Sequence, residues 1–161
     1  MGQIDLQFAG SSDLGGQVIE WYDHGRFAHV DVVLPSGKLL GARSEVIGDV
    51  PAGVQVRPAS YLSNTVSTLK VNLECTDEVS NRFYQFVSEQ IGKPYDWEAI
   101  VGFVAGRQWM QPDSWFCSEL VAAGLVQSGF VHQLSAPANK IAPDDLLLVC
   151  SAFVDIPLGS I

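Results

Sequence analysis

Basic residues are scarce: nine Lys and Arg stand against 18 Asp and Glu in 161 residues, for a net charge of -9. They are scattered singly, so no cluster exists to neutralise phosphates, which argues against nucleic acid or an anionic membrane surface as partner. Charge of either sign is sparse at 17%, while hydrophobic residues reach 47%; that balance suits one globular domain over residues 1–161, not long disordered tails. Long apolar runs are missing too. No stretch approaches the roughly 18 consecutive apolar residues of a membrane span, so none is expected. The start, MGQIDLQFAGSSDLGG, lacks the basic region and apolar run of a secretory signal, and Leu6 breaks the myristoylation pattern. A cytoplasmic protein is the default expectation, with a lysis or particle-associated role for a virus or prophage as one option.

Cysteine is limited to Cys75, Cys117 and Cys150, an odd number with no CxxC or Cys-His spacing. That excludes a disulfide framework and a zinc site as expectations, and no motif for a cofactor or other metal is present. Cys75 ends a strand-like run and Cys150 follows the apolar Leu146 to Val149, so both read as core packing.

The patterning along the chain predicts an α+β protein. Ile4, Leu6 and Phe8 alternate as a short strand; Ser11 or Ser12 then caps a helix with Leu14, Val18, Ile19 and Tyr22 on its apolar face. Phe27 to Leu34 and Leu39 to Arg43 form a hairpin about Pro35-Ser36-Gly37-Lys38, and Val46 to Ala52 is a loop. Further strands are expected at Val54 to Arg57 and Thr68 to Glu74. Thr76 or Asp77 opens an amphipathic helix carrying Val79, Phe83, Phe86, Val87 and Ile91, stopped by Gly92. A shorter helix over Asp96 to Val104, a loop over Gly106 to Gln111, a helix from the Cys117 region to Gly129 and a last helix from Pro143 to Leu148 complete the order. An antiparallel sheet with helices packed against it follows.

The stretch PDSWFCSELV, Pro112 to Val121, is the chemical centre of this pattern. With Ser114 as N-cap, Cys117 falls at N3, where unpaired amides and the helix dipole favour thiolate over thiol. A cysteine in an apolar helix is more often packed than reactive, so its position needs a base to gain meaning. His29, on a Val-rich strand, is the candidate; His24 and His132 read as surface residues. A third group would fix the imidazole tautomer. Asp31 shares the face of His29, but the spacing of about 7 Å along a strand makes a direct contact strained. A tight turn about Ser36-Gly37 places Ser44 opposite His29, while Glu45 points away unless a bulge intervenes.

Taken together, these patches resemble the circularly permuted papain-like amidases of the NlpC-type peptidase superfamily, whose relatives include lecithin-retinol-acyltransferase-like enzymes. FAHVDVVLPSGKLLGA resembles the family's histidine hairpin, GKPYDW its Gly-x-Pro-Tyr segment, WFCSELV its nucleophile helix, and APDDLLLV a Pro-x-Asp-Leu segment of permuted members. Histidine precedes cysteine, the inverse of the ordinary order. The resemblance implies a papain-like fold, Cys117 as nucleophile, His29 as base and Tyr95 as a neighbour of the thiol. It departs at one place: the family's third polar residue falls about a dozen positions after the histidine, where this chain has Gly41. The implied activity is cleavage of an amide or ester through a Cys-His thiolate, on a cell-wall peptide or peptidoglycan fragment, an acyl lipid or a small amide. Acyl transfer and a non-catalytic binding or assembly module are the alternatives. Oligomeric state has no signature in the sequence.

Overall fold

A computed structural model describes residues 1–10, 26–46, 48–62, 67–96 and 113–154. The helix expected around Leu14 to Tyr22, with His24 after it, lies outside the described residues, as do residues 97–104 of the next expected helix and the loop Gly106 to Gln111. The five expected strands all form: β1 (Gly2–Gly10), β2 (His29–Val33), β3 (Leu39–Arg43), β4 (Gly53–Arg57) and β5 (Ser67–Cys75). They pair as one antiparallel sheet in the order β4-β3-β2-β1-β5. Among the described residues three helices accompany it: α1 (Asp77–Glu89), α2 (Cys117–Ser128) and α3 (Pro143–Ser151). The fold is α+β, with helices packed against an antiparallel sheet.

One face of the sheet builds the core. Ile4, Leu6, Phe8, Val30, Val32, Leu40, Ala42, Val71 and Leu73 point to the helices and meet Phe83 and Val87 of α1 and Leu120, Val121 and Leu125 of α2. On β5 the alternation is clean, with Leu69, Val71 and Leu73 buried between exposed Thr68, Lys70, Asn72 and Glu74. The opposite face near β2 to β4 is also covered. There a 3-10 turn, Ala59–Leu62, brings Tyr61 against Ala9, Leu39 and Val33. This cover is why polar residues of the second face are buried instead of solvated.

Helix starts follow their capping chemistry. Thr76 accepts from the Val79 N–H at 3.2 Å and opens α1. Ile91 falls beyond the last turn of α1 and is exposed, because the helix ends before Gly92 instead of running up to it. The hairpin differs from the expected two-residue turn. Leu34 and Lys38 close it, leaving Pro35, Ser36 and Gly37 as a three-residue loop with Gly37 in the left-handed region (φ 76°). A two-residue loop would need an amide at position 35, and proline has none. The register therefore shifts by one: Val32 pairs with Leu40 and Val33 with Leu39. Continued along the strands, it sets Gly41 opposite Asp31 and Arg43, not Ser44, opposite His29.

Asp144, in the first turn of α3, accepts from the backbone N–H groups of Arg26 and Phe27, both at 3.0 Å. Those residues lead into His29, so a carboxylate 117 residues beyond Phe27 in the chain holds the entry to β2. Hydrogen bonds to a charged acceptor are each worth about 1.5–3 kcal/mol when buried, and less at a partly exposed site such as this. Asp144→Ala is expected to lower unfolding stability in urea by about 1–2 kcal/mol, with Asp144→Asn losing less because it keeps one acceptor oxygen. An alanine variant as stable as the parent would remove this anchor from the account.

Candidate functional site

Strand and helix meet at one end of the sheet. β4 binds the turn after α1: Val54 N–H donates to the Lys93 carbonyl and Gly92 N–H to the Val54 carbonyl, each at 2.8 Å. Gly53, at φ 124°, sits where any Cβ would collide with that Lys93 carbonyl. Tyr95 then forms a parallel bridge with Trp115, with Trp115 N–H donating to Pro94 and Asp96 N–H to Trp115, both at 3.1 Å. The Trp115 indole donates to Gln90 at 3.2 Å and packs edge-on against Phe86. The GKPYDW segment thus aligns the chain two residues ahead of Cys117.

α2 begins two residues later than the sequence suggests. Its N-cap is Phe116, so Cys117 is the first helical residue and not N3. Asp113 adopts a left-handed backbone (φ 65°) and serves the turn into the Tyr95–Trp115 bridge instead of capping, and Ser114 is buried ahead of the cap. Phenylalanine offers no acceptor. The start is held from inside, by the Glu119 carboxylate accepting from Phe116 N–H at 3.2 Å. Ser118 is fully buried and donates its hydroxyl to the Ile141 carbonyl, tying α2 to the approach of α3.

Cys117 is only 1% exposed. Burial pushes its thiol up to about 11, although the backbone N–H groups of Val30 and Ser118 and the charge of Arg43 favour the thiolate. The expected helix-end activation is therefore outweighed. The dipole is worth about 0.3–1 kcal/mol, up to about 2 kcal/mol in a partly buried setting, whereas removing a charge from water costs several. Cys75 is half-buried and Cys150 buried, with burial pushing the Cys150 thiol up to about 12. Exposure thus makes Cys75, not Cys117, the most accessible thiol of the resting protein.

His29, 6% exposed, stands where β2 bulges: Ala28 N–H donates to the carbonyl of Ala9, the residue that His29 itself faces. Its Nε2 lies 2.9 Å from Asp31 Oδ1. The contact that spacing alone makes strained is formed, because an imidazole and a carboxylate together bridge the roughly 7 Å between alternate residues of a strand. Asp31 is completely buried; its Oδ1 also takes Arg57 Nη2, and its Oδ2 takes the Tyr61 hydroxyl. Burial alone would raise this carboxyl, but His29 and Arg57 outweigh it and hold it well below the usual carboxylate range. Arg57 donates in addition to the Gly41 carbonyl at 3.1 Å and lies over the Tyr61 ring at 4.5 Å.

Gly41 is the space in which this network sits. A Cβ at that position would fall inside the van der Waals envelope of Asp31 Oδ1 and 3.2 Å from Arg57 Nη2. The polar group missing from position 41 is supplied across the strand pair, from Asp31. Of the other two candidate partners, Ser44 is half-buried one register step away from His29, and Glu45 is exposed, its backbone carbonyl accepting from Gln55.

The ionised Asp31 and the Arg57 guanidinium make opposite demands on the His29 tautomer. Nε2 lies between Asp31 Oδ1 at 2.9 Å and Arg57 Nη2 at 3.2 Å; an unprotonated Nε2 would accept from the guanidinium but set a lone pair against the closer carboxylate oxygen, so the carboxylate favours the proton on Nε2 and a lone pair on Nδ1. Burial, helped by Arg43 and Arg57 and opposed by Asp31, lowers the imidazole to about 4. Tyr95 is brought to the same place: burial first, then the neighbouring Cys117, hold its hydroxyl well above its usual value. No hydrogen bond joins the His29 ring to the Cys117 sulfur among the described residues. Val30, whose amide meets the sulfur, faces the helices, while His29 and Asp31 alternate to the other face, and the β2-β3 pairing ends at Val32 and Leu40. Sequence reasoning missed Arg57, Tyr61 and Arg43; nothing local in these stretches announces the turn that covers this sheet face.

No group of three or more His, Cys, Asp and Glu among the described residues is arranged to hold a metal ion, and two guanidinium groups beside His29 and Asp31 oppose a cation there.

Two outcomes are expected. Gly41→Ala should destabilise the protein by about 2–4 kcal/mol through Asp31, and should cost far less on an Asp31→Ala background; additive losses in that cycle would show that Gly41 does not exist to seat the carboxylate. His29 is depressed from 6.5 to about 4, so the unfolded chain binds its proton first as pH falls. Its contribution to stability is present above 6.5 and is lost between there and about 4. NMR titration of the His29 ring should give a midpoint near 4, and one near 6.5 would refute the burial argument.

No protein-family model and no curated protein matches the chain. A solved structure that is similar is "metalloprotein yiiX" of Escherichia coli O157:H7, described as DUF1105. It has a TM-score of 0.58 and 18% identity, and the match covers 86% of this chain and 78% of that one. At that identity the likeness bears on the fold alone, and it supports the α+β architecture.

Proposed function

We propose that this protein is a cysteine hydrolase of the permuted NlpC-type, papain-like kind, cleaving an amide or ester bond through Cys117 and His29. The observation that carries the reading is the 2.9 Å contact of His29 Nε2 with a buried, ionised Asp31, which favours Nδ1 as the acceptor, one residue from Val30, whose backbone N–H favours the Cys117 thiolate. Asp31 takes the orienting role. Thiol and imidazole both rest neutral with no hydrogen bond between them, so the reaction requires the two to close to hydrogen-bond distance; the thiol proton then passes to Nδ1 as sulfur attacks the carbonyl carbon. The sulfur–carbon bond forms, the carbon–nitrogen or carbon–oxygen bond breaks, and the imidazolium returns its proton to the leaving group. Water, losing a proton to Nδ1, then cleaves the thioester to a carboxylic acid and restores the thiol. The Cys117 N–H, which at the first helical position has no acceptor within the helix, is a donor for the developing oxyanion.

A second reading, a papain-like module that binds or assembles without catalysis, is favoured by the sealed thiol and by the missing sulfur–imidazole hydrogen bond. Mass spectrometry after exposure to peptide and acyl-ester panels separates the two. The hydrolase reading expects an acyl adduct on Cys117, lost in Cys117→Ala and His29→Ala, and slowed by about 10²–10⁴-fold in Asp31→Asn, which permits the wrong tautomer. Acylation should fall on the acid side with a midpoint near 4, following the lowered His29. No adduct with any panel member, in a folded protein, would leave the binding module as the reading.

A further inference from the structure

Buried polar atoms left without partners are rare in native interiors, and each calls for something that meets it. Among the described residues there are three such side-chain atoms: Arg43 Nε, Gln55 Oε1 and Arg57 Nε. All three belong to the sheet face that carries His29 and Asp31, since these residues alternate with Ala42, Val54 and Val56 on the core face. They are not equivalent. Gln55 and Arg57 are sealed at 1% exposure, and the charge of Arg57 is already taken by Asp31. Arg43 is half-buried and makes no ion pair with any described carboxylate; its guanidinium rests against the Tyr61 ring, 5.0 Å from the centroid. It is also the last residue of β3, paired with Gly53, the glycine against which the Lys93–Pro94 turn closes. Its charge is felt at Cys117, Tyr95 and His29 alike.

We propose that Arg43 selects the substrate by binding a carboxylate on it, close to the bond being cleaved. This rests on the hydrolase reading and narrows it, to amides or esters of the peptide type bearing a free carboxylate and away from neutral acyl lipids. A guanidinium held on an aromatic ring presents a fixed, planar set of donors that matches two carboxylate oxygens, and its desolvation is already complete at Nε. A carboxylate there would meet a cation that no described carboxylate pairs directly, although the charges of Asp31 and Glu45 reach it, and whose own charge favours the Cys117 thiolate.

The test reads the Arg43 Nε–H resonance of ¹⁵N-labelled protein, titrated at constant ionic strength with N-acetyl-alanine and with N-acetyl-alaninamide. The carboxylate should shift that resonance saturably and the amide should not; Arg43→Gln should abolish binding and Arg43→Lys retain part of it. In acylation assays with matched carboxylate and amide substrates, Arg43→Gln should raise KM for the carboxylate substrate by about 10-fold or more and leave KM for the amide substrate nearly unchanged, while any change in kcat from the lost charge beside Cys117 and His29 falls on both substrates alike. No shift, or equal shifts from both probes, overturns the proposal, and the parent titration decides it even if Arg43→Gln fails to fold. Selective binding without any acyl adduct keeps Arg43 as an anion site and defeats only the hydrolase. An adduct formed equally from both substrates, unaffected by Arg43→Gln, defeats the selection proposal and leaves the hydrolase standing.

Discussion

A fully buried, ionised carboxylate is the constraint on which the rest of this protein depends. Asp31 has no exposure, and an ion of that size is costly to bury by several kcal/mol unless its oxygens are met. Each neighbour answers that cost. His29 and Arg57 meet one oxygen and Tyr61 the other; Gly41 withholds a side chain so that the carboxylate can occupy the sheet face; and the turn at Ala59–Leu62 excludes water. Removing one partner would strand a charge, so the group stands or falls together.

Around that centre the thiol and the imidazole are both held neutral, and for the same reason. Helix start, amide donors and Arg43 all favour a thiolate at Cys117, while burial opposes it and prevails. Asp31 favours an imidazolium at His29, while burial and two arginines oppose it and prevail. In a closed site both charge-separating tendencies lose to desolvation. Admission of a polar substrate, or of water, would weaken that desolvation penalty and leave the fixed dipoles and Asp31 in place. On the proposed hydrolase reading, a quiet resting state and a reactive occupied state would then differ in what surrounds the charged groups.

What the sequence disclosed follows the range of the interactions involved. Alternation revealed β1 and β5, Thr76 revealed the start of α1, and Pro143 that of α3, because these signals lie within a few residues of their effect. The hairpin was legible and its register was not: proline's missing amide at position 35 changes the loop by one residue and moves Arg43 to where Ser44 is expected from a tight turn. Ser114 is a good cap in isolation, yet α2 starts two residues beyond it, because the bridge between Tyr95 and Trp115 consumes that segment before the helix opens. His29, Cys117 and Tyr95 could be nominated from short patches. Arg57 and Tyr61 could not, since their roles come from a sheet face being covered, which no local pattern records.

Gly41 shows how an absence can be read. On its own it marks a lost polar group, but glycine in a strand interior weakens the strand and often signals that something else approaches closely. The approaching group is Asp31, on the neighbouring strand and close to Gly41 only through the register of the hairpin. Placing the carboxylate on the same strand as His29 makes their spacing independent of strand pairing, and it leaves β3 to contribute a backbone carbonyl to Arg57 and the cation of Arg43 at its end. The two sides of the hairpin thus divide the work. β2 sets the protonation of the imidazole, and β3 and β4 bring the positive charge that stabilises Asp31 and keeps His29 from holding its proton in the resting state.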